Sequence, residues 1–153
     1  MSTLTAGQKA PDFTANDQQG KAVSLQQFTG KKVVLYFYPK DDTPGCTAEA
    51  CDFRDNYQSL TAQDIVVLGV SVDDEKSHQK FITKHDLPFT LLADTDKKIV
   101  EDYGVWVEKN NFGKKYMGIA RKTFLINEEG VITHIIDKVD TKNATAQVLA
   151  LLK

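Results

Sequence analysis

The sequence predicts an α/β fold whose central sheet is mixed, parallel in its middle and antiparallel at one edge, with helices on its faces. Three observations lead there. Segments rich in Val, Ile, Phe and Tyr alternate with helical patterns through the first two-thirds of the chain, and strand–helix–strand alternation builds parallel sheets through right-handed crossovers. Two of those segments, around Val33–Tyr38 and Ile65–Val72, are apolar nearly throughout, as strands covered on both faces are. The last two strand-like segments are separated only by Glu128-Glu129-Gly130, a connection that fits a hairpin and is too short for a parallel crossover.

The elements follow in chain order. Asp17-Gln18-Gln19-Gly20-Lys21 between Phe13 and Val23 reads as a small N-terminal hairpin. Strands are expected at Lys32–Tyr38, Ile65–Val72, Thr90–Ala93, Thr123–Asn127 and Val131–Asp137, from their β-branched and aromatic content. Helices are expected at Gly45–Ala62, Glu75–His85, Lys97–Tyr103 and Asn143–Leu152. Asp73-Asp74-Glu75 and Asp94-Thr95-Asp96 stand where helix N-terminal caps belong. A thioredoxin-like fold with an N-terminal β-hairpin extension satisfies this order. With no internal repeat, low-complexity tract or linker, residues 1–153 read as one domain.

Composition narrows the function. The 153 residues are 41% hydrophobic and 26% charged, with 19 basic residues against 21 acidic ones and a net charge of −2. That balance argues against a nucleic-acid or anionic-membrane partner, which would need a basic excess. The apolar runs fall far short of the roughly 20 residues of a membrane helix. The opening segment shows no signal-like charge and hydrophobic stretch, so a soluble, cytoplasmic protein is expected.

Two cysteines, Cys46 and Cys51, are too few for a disulfide scaffold or a four-ligand zinc site. A close pair in a reducing compartment points instead to catalysis or redox sensing. Thr43 suits a helix N-cap and Pro44 the first helical position, where its missing N–H costs nothing. Cys46 then lies in the first turn, where unpaired N–H groups and the helix dipole favour a thiolate. A free cysteine is also commonly just a small buried hydrophobe, and position alone does not decide. Cys46, Ala50, Phe53, Tyr57 and Leu60 share the apolar stripe, whereas Cys51 falls among Arg54, Asp55 and Gln58 on the polar side. Five residues apart on an ideal helix, the two Cα atoms are roughly 8–9 Å apart. A disulfide needs about 4.4–6.8 Å, so the pair can join only if the first turns unwind. Such a pair suits two stages: oxidation of one sulfur in a folded pocket, then opening so that the second condenses with it.

At these residues the sequence resembles the peroxiredoxins, in particular the PrxQ or bacterioferritin comigratory protein type. The signature Pro-x-x-x-Thr-x-x-Cys is present as Pro39, Thr43 and Cys46, followed by Thr47-Ala48-Glu49-Ala50-Cys51-Asp52-Phe53-Arg54-Asp55. The likeness continues through Gly69–Asp73, Leu87–Phe89, Tyr103–Trp106 and Tyr116–Arg121, covering nearly the whole chain. It implies that Cys46 is the peroxidatic nucleophile and Cys51 the resolving cysteine, joined as an intramolecular disulfide. It further implies that Thr43 offers its hydroxyl to the peroxide, that Pro39 closes the pocket, and that Arg121 sets a guanidinium beside Cys46. Glu49, one turn after Cys46, is a candidate to orient Arg121, with a solvated surface glutamate as the competing reading. The implied activity is reduction of hydrogen peroxide and organic hydroperoxides in antioxidant defence. Recycling would come from thioredoxin or a similar dithiol, with no cofactor and no metal; a monomer is expected, a dimer being the alternative.

Other features carry less. His78 and His85 lie about 10 Å apart along one predicted helix, too far for one metal, and with His134 they read as solvated or core histidines. No Gly-rich phosphate loop is present. Tyr36–Tyr38, Trp106 and Tyr116 read mostly as core, and Lys114 and Lys115 as a solvated loop. Two competing functions use the same cysteines. A thioredoxin-like disulfide oxidoreductase is disfavoured by the five-residue spacing and by Ala120-Arg121-Lys122, where a cis-proline would be expected. A redox sensor or holdase would form the disulfide without catalytic turnover.

Overall fold

The computed structural model describes residues 4–152; Met1–Thr3, which open the segment read for a signal, lie outside them. The N-terminal hairpin pairs β1 (Thr14–Asn16) with β2 (Ala22–Ser24). Asp17 closes its turn by accepting from the Gln19 and Lys21 amides. Then come β3 (Lys32–Phe37), α1 (Pro44–Asp55), α2 (Tyr57–Ala62), β4 (Ile65–Ser71), α3 (Glu75–His85), β5 (Thr90–Ala93) and α4 (Lys98–Asp102). The chain ends with β6 (Trp106–Asn111), β7 (Lys114–Ile119), β8 (Lys122–Ile126), β9 (Ile132–Ile136) and α5 (Ala144–Leu151).

Seven strands form the central sheet in the order β2-β1-β5-β4-β3-β8-β9. β3, β4 and β5 are parallel, and β8 and β9 continue antiparallel beside β3, as expected. The N-terminal hairpin adds a second antiparallel edge through Asn16 opposite Ala93, where the sequence had suggested one such edge. Period-two alternation on β3 divides the core. Val33, Leu35 and Phe37 join Ile99, Val100 and Tyr103 on one face. Val34, Tyr36 and Tyr38 join Cys46, Ala50, Phe53, Leu60, Phe81 and Val148 on the other. The cysteine helix is thereby pinned to the sheet by buried aromatics, with the Tyr36 and Phe53 rings 4.9 Å apart.

Several expectations change. The helix predicted over 45–62 is two, broken at Asn56, whose side-chain amide donates to the Asp52 carbonyl (2.8 Å). An Asn that bonds its own backbone competes with helix continuation. The segment carrying Lys114 and Lys115 is the strand β7, paired with β6 in a separate two-stranded ribbon. It was not legible because neither strand has a continuous buried face, so its pattern stays polar. Tyr116 on that ribbon is about half exposed, not core, while Tyr36 and Tyr38 are buried. Asp74 caps α3 as expected, accepting from the Ser77 amide; the N-cap position of α4 is Lys97, and Asp94, three residues before it, accepts from the Ile99 and Val100 amides. Among the described residues no helix is long and apolar enough to cross a membrane.

Candidate active site

The site begins where β3 runs out. Tyr38-Pro39-Lys40-Asp41-Asp42-Thr43 leads from the sheet into α1, with Asp42 in the left-handed region at φ 58°. Thr43 holds the extended N-cap backbone, and its carbonyl accepts from the Thr47 amide (2.8 Å). Contrary to the capping role expected of it, its hydroxyl makes no bond to the helix amides and donates instead to the Lys40 carbonyl (2.9 Å). That bond closes the loop on itself and leaves the oxygen lone pairs free to accept from another donor. Pro44 opens the helix, and Cys46 follows in its first turn, 1% exposed.

Arg121 reaches this thiol from between β7 and β8. Its Nη2 donates to Cys46 Sγ at 3.3 Å and its Nη1 to Glu49 Oε1 at 2.7 Å. Gly45 allows the approach, since a Cβ there would lie 3.2 Å from Nη2. Glu49 is not a solvated surface residue: it is fully buried, and Oε2 has no hydrogen-bond partner. Burial pushes its carboxyl up to about 7, against the opposing pull of Arg121. Arg121 itself is raised: desolvation pulls it down, and Cys46 and Glu49 outweigh that. The guanidinium is thus a fixed, permanently charged donor at a buried sulfur. Lys109 of β6 faces the same cluster, and burial together with Arg121 pushes its ammonium down.

Cys51 lies five residues along the same unbroken helix, half-buried on its polar side, and both cysteines are free thiols. The C-terminal end of α1 is tied to its surroundings. Arg54 Nη1 donates to the His85 carbonyl (2.7 Å), and the Thr145 amide of α5 donates to the Asp52 carboxylate (2.7 Å). The structure therefore links Cys46 and Glu49 through Arg121, with Thr43 at the head of the same helix, and keeps Cys51 apart.

Sequence reasoning missed a buried polar cluster beneath the loop. Tyr38 Oη, Ser77 Oγ and His78 Nδ1 all converge on the Asp41 carboxylate. Nothing local in the sequence marks this pairing of residues 37 positions apart. His85, 19% exposed, meets Asp42, and His134 sits elsewhere on β9. Among the described residues no group of His, Cys, Asp and Glu is arranged to hold a metal ion.

The chain is similar to known proteins over nearly its whole length. The AhpC/TSA family model matches residues 6–135. Peroxiredoxin Bcp of Bacillus subtilis is 51% identical, over 99% of this chain and 96% of its own. A solved PrxQ of Xylella fastidiosa superposes with a TM-score of 0.93 at 30% identity, covering 99% of this chain and 97% of that one. A Xanthomonas campestris bacterioferritin comigratory protein, whose structures were described for its alkyl peroxide reduction activity, superposes at 0.88 with 35% identity, covering 97% and 98%.

Proposed function

The chain belongs to the AhpC/TSA family, as a peroxiredoxin of the Bcp/PrxQ kind, and we propose that it reduces hydrogen peroxide and alkyl hydroperoxides through Cys46, with Cys51 as its resolving thiol. The observation that carries this reading is the buried Cys46 sulfur held 3.3 Å from the Arg121 guanidinium at a helix N-terminus. The thiolate is a cysteine's reacting form, and the guanidinium is a fixed charged donor aimed at this sulfur. The thiolate attacks the distal peroxide oxygen and the O–O bond breaks. Cys46 becomes a sulfenic acid, and the alkoxide leaves, taking up a proton as alcohol or, from hydrogen peroxide, as water.

Each neighbour has a part. Arg121 lies where charge develops during O–O cleavage, and donors aimed at developing charge stabilise the transition state. Thr43, its proton committed to Lys40, accepts from the peroxide O–H and orients it. Pro39 covers the pocket, and Glu49 fixes the guanidinium. In the second stage α1 unwinds and the Cys51 thiolate attacks the Cys46 sulfenic sulfur, releasing water and leaving a disulfide. Thioredoxin or a similar dithiol reduces that disulfide by two electrons and is itself oxidised. We place the enzyme in the cytoplasm, as a monomer serving antioxidant defence.

Peroxide consumption coupled to thioredoxin, thioredoxin reductase and NADPH tests the reading. Wild type should turn over repeatedly, Cys46→Ser should be inactive, and Cys51→Ser should consume one equivalent and stop. No turnover by wild type with any dithiol donor would sink the enzyme and favour a redox sensor built on the same pair.

A further inference from the structure

The Asp41–His78 cluster does more than fill space beneath the loop. His78 is fully buried on α3, and both of its ring nitrogens meet acceptors. Nε2 lies 2.9 Å from the Leu92 carbonyl of β5, which can only accept, so Nε2 carries a proton. Nδ1 lies 2.6 Å from Asp41 Oδ2. The same carboxylate receives the Ser77 hydroxyl on Oδ2 (2.8 Å) and the Tyr38 hydroxyl on Oδ1 (2.6 Å). Both ring nitrogens of His78 therefore face acceptors, the geometry in which an imidazolium donates from each.

This ion pair grips one short segment. The Asp41 amide donates to Asp73 Oδ2 (2.8 Å), an oxygen that Ser71 also holds. Next along, Asp42 pairs with Lys84 and His85 of the same helix α3. The loop 38–43 is therefore fastened to α3, β4 and β5, none of which carries a cysteine. We propose that His78 is a positioning residue for the peroxidase site: its imidazolium anchors the loop that presents Pro39 and Thr43 and fixes the point from which α1 opens. Remaining clamped while the helix beyond it unwinds, the loop would let Cys46 return to the same pocket after each cycle. That α1 must open rests on the proposed Cys46–Cys51 disulfide; the anchor itself does not.

The anchor has a pH signature. The groups facing His78 are Asp41 and Tyr38 from the loop, Asp73 from the turn after β4, Ser77 from its own helix and the Leu92 carbonyl. Burial pulls the imidazolium down, but the Asp41 hydrogen bond and charge, with Leu92 and Asp73, outweigh it and raise His78 above its ordinary value. Burial holds Tyr38 well above its ordinary range, with Asp41 adding to the shift, so it stays neutral. A histidine raised by folding contributes stability that is complete below its unfolded value and lost as pH rises through its folded one. The loop should therefore be tightest at acidic to neutral pH and loosen in alkali.

Amide hydrogen exchange on the reduced full chain tests this without relying on catalysis. In wild type, protection factors over Cys46–Asp52 should fall as pH rises into the alkaline range. In His78→Gln they should be about tenfold lower at neutral pH, the scale of one lost charge-assisted hydrogen bond, and flat with pH. Asp41→Asn should behave alike. Nitrogen-15 spectra of the wild-type ring should show both nitrogens protonated at neutral pH, a measurement that needs no variant to fold. A neutral ring there, or wild-type protection in His78→Gln, or parallel pH profiles in the two proteins, would overturn the anchor. Failure of peroxide turnover with the exchange behaving as described would leave the anchor standing and remove only the peroxidase reading.

Discussion

Replacing Arg121 with Met separates what the guanidinium does for the sulfur from what it does for the fold. Methionine fills much of the same space but donates nothing. At the sulfur, one charged donor 3.3 Å from Sγ disappears. Loss of a single preorganised donor at a reacting centre typically costs about 10²–10³ in rate, and we expect that loss in kcat/KM for hydrogen peroxide. For the fold, the 2.7 Å bond to buried Glu49 disappears as well. Its carboxyl already sits at about 7, so without Arg121 it rises further and takes a proton instead of remaining a naked buried charge. The stability cost is then about 1–2 kcal/mol, near that of one charge-assisted hydrogen bond, and below the 3–5 kcal/mol or so of a stranded ion. Stopped-flow peroxide consumption gives the first number and urea unfolding of the reduced protein the second. In a Glu49→Gln background, Arg121→Met should cost less stability yet lose the same activity. Arg121→Met retaining kcat/KM within fivefold of wild type would refute the reasoning, as would recovery of activity in the double variant.

Three further outcomes follow from the same contacts. Gly45→Ala adds a methyl 3.2 Å from Arg121 Nη2; a flexible guanidinium can yield, so unfolding should shift by less than about 1 kcal/mol while peroxide reactivity falls roughly tenfold. Glu49 is raised from 4.5 to about 7 by folding, so the folded protein holds its proton more tightly than the unfolded chain. Stability from that residue is complete below about pH 4.5 and declines as pH rises to about 7; urea midpoints should show the decline in wild type and a shallower one in Glu49→Gln. Asp52→Ala removes the carboxylate that accepts from the Thr145 amide at the start of α5, at about 1 kcal/mol for a lost cap. The cost should appear in the reduced protein and shrink in the oxidised one if α1 unwinds as proposed, and thermal melts of both forms would show it.

How much of this was legible in the sequence depends on the range over which each feature is specified. Helix α3 begins where the pattern placed it, because Asp74 caps it locally and its apolar stripe is regular. The parallel β3–β4 pair was visible as two apolar runs, since burial on both faces leaves that trace. Cys46 stood out through Thr43, Pro44 and its helical position, and the motif resemblance pointed to Arg121 as its neighbour. The break at Asn56 was missed because one side chain's bond to Asp52 decides it within a pattern that otherwise runs on. The β6–β7 ribbon was missed because its strands carry charge on positions that, in a sheet of the main core, would be apolar. The Asp41–His78 pair lay beyond sequence reasoning for another reason. It is a contact between the loop that follows β3 and a helix that follows β4, and neither residue's neighbours announce it.

The central claim is that Cys46 and Cys51 react within one chain and that α1 must unwind for them to meet. One equivalent of hydrogen peroxide added to the reduced protein, followed by far-ultraviolet circular dichroism and non-reducing peptide mass spectrometry, tests it directly. The account predicts a Cys46–Cys51 peptide, a loss of helical signal of about one to two turns, and its return on reduction. An intramolecular disulfide with no change in helical signal, or a disulfide only between chains, would contradict it.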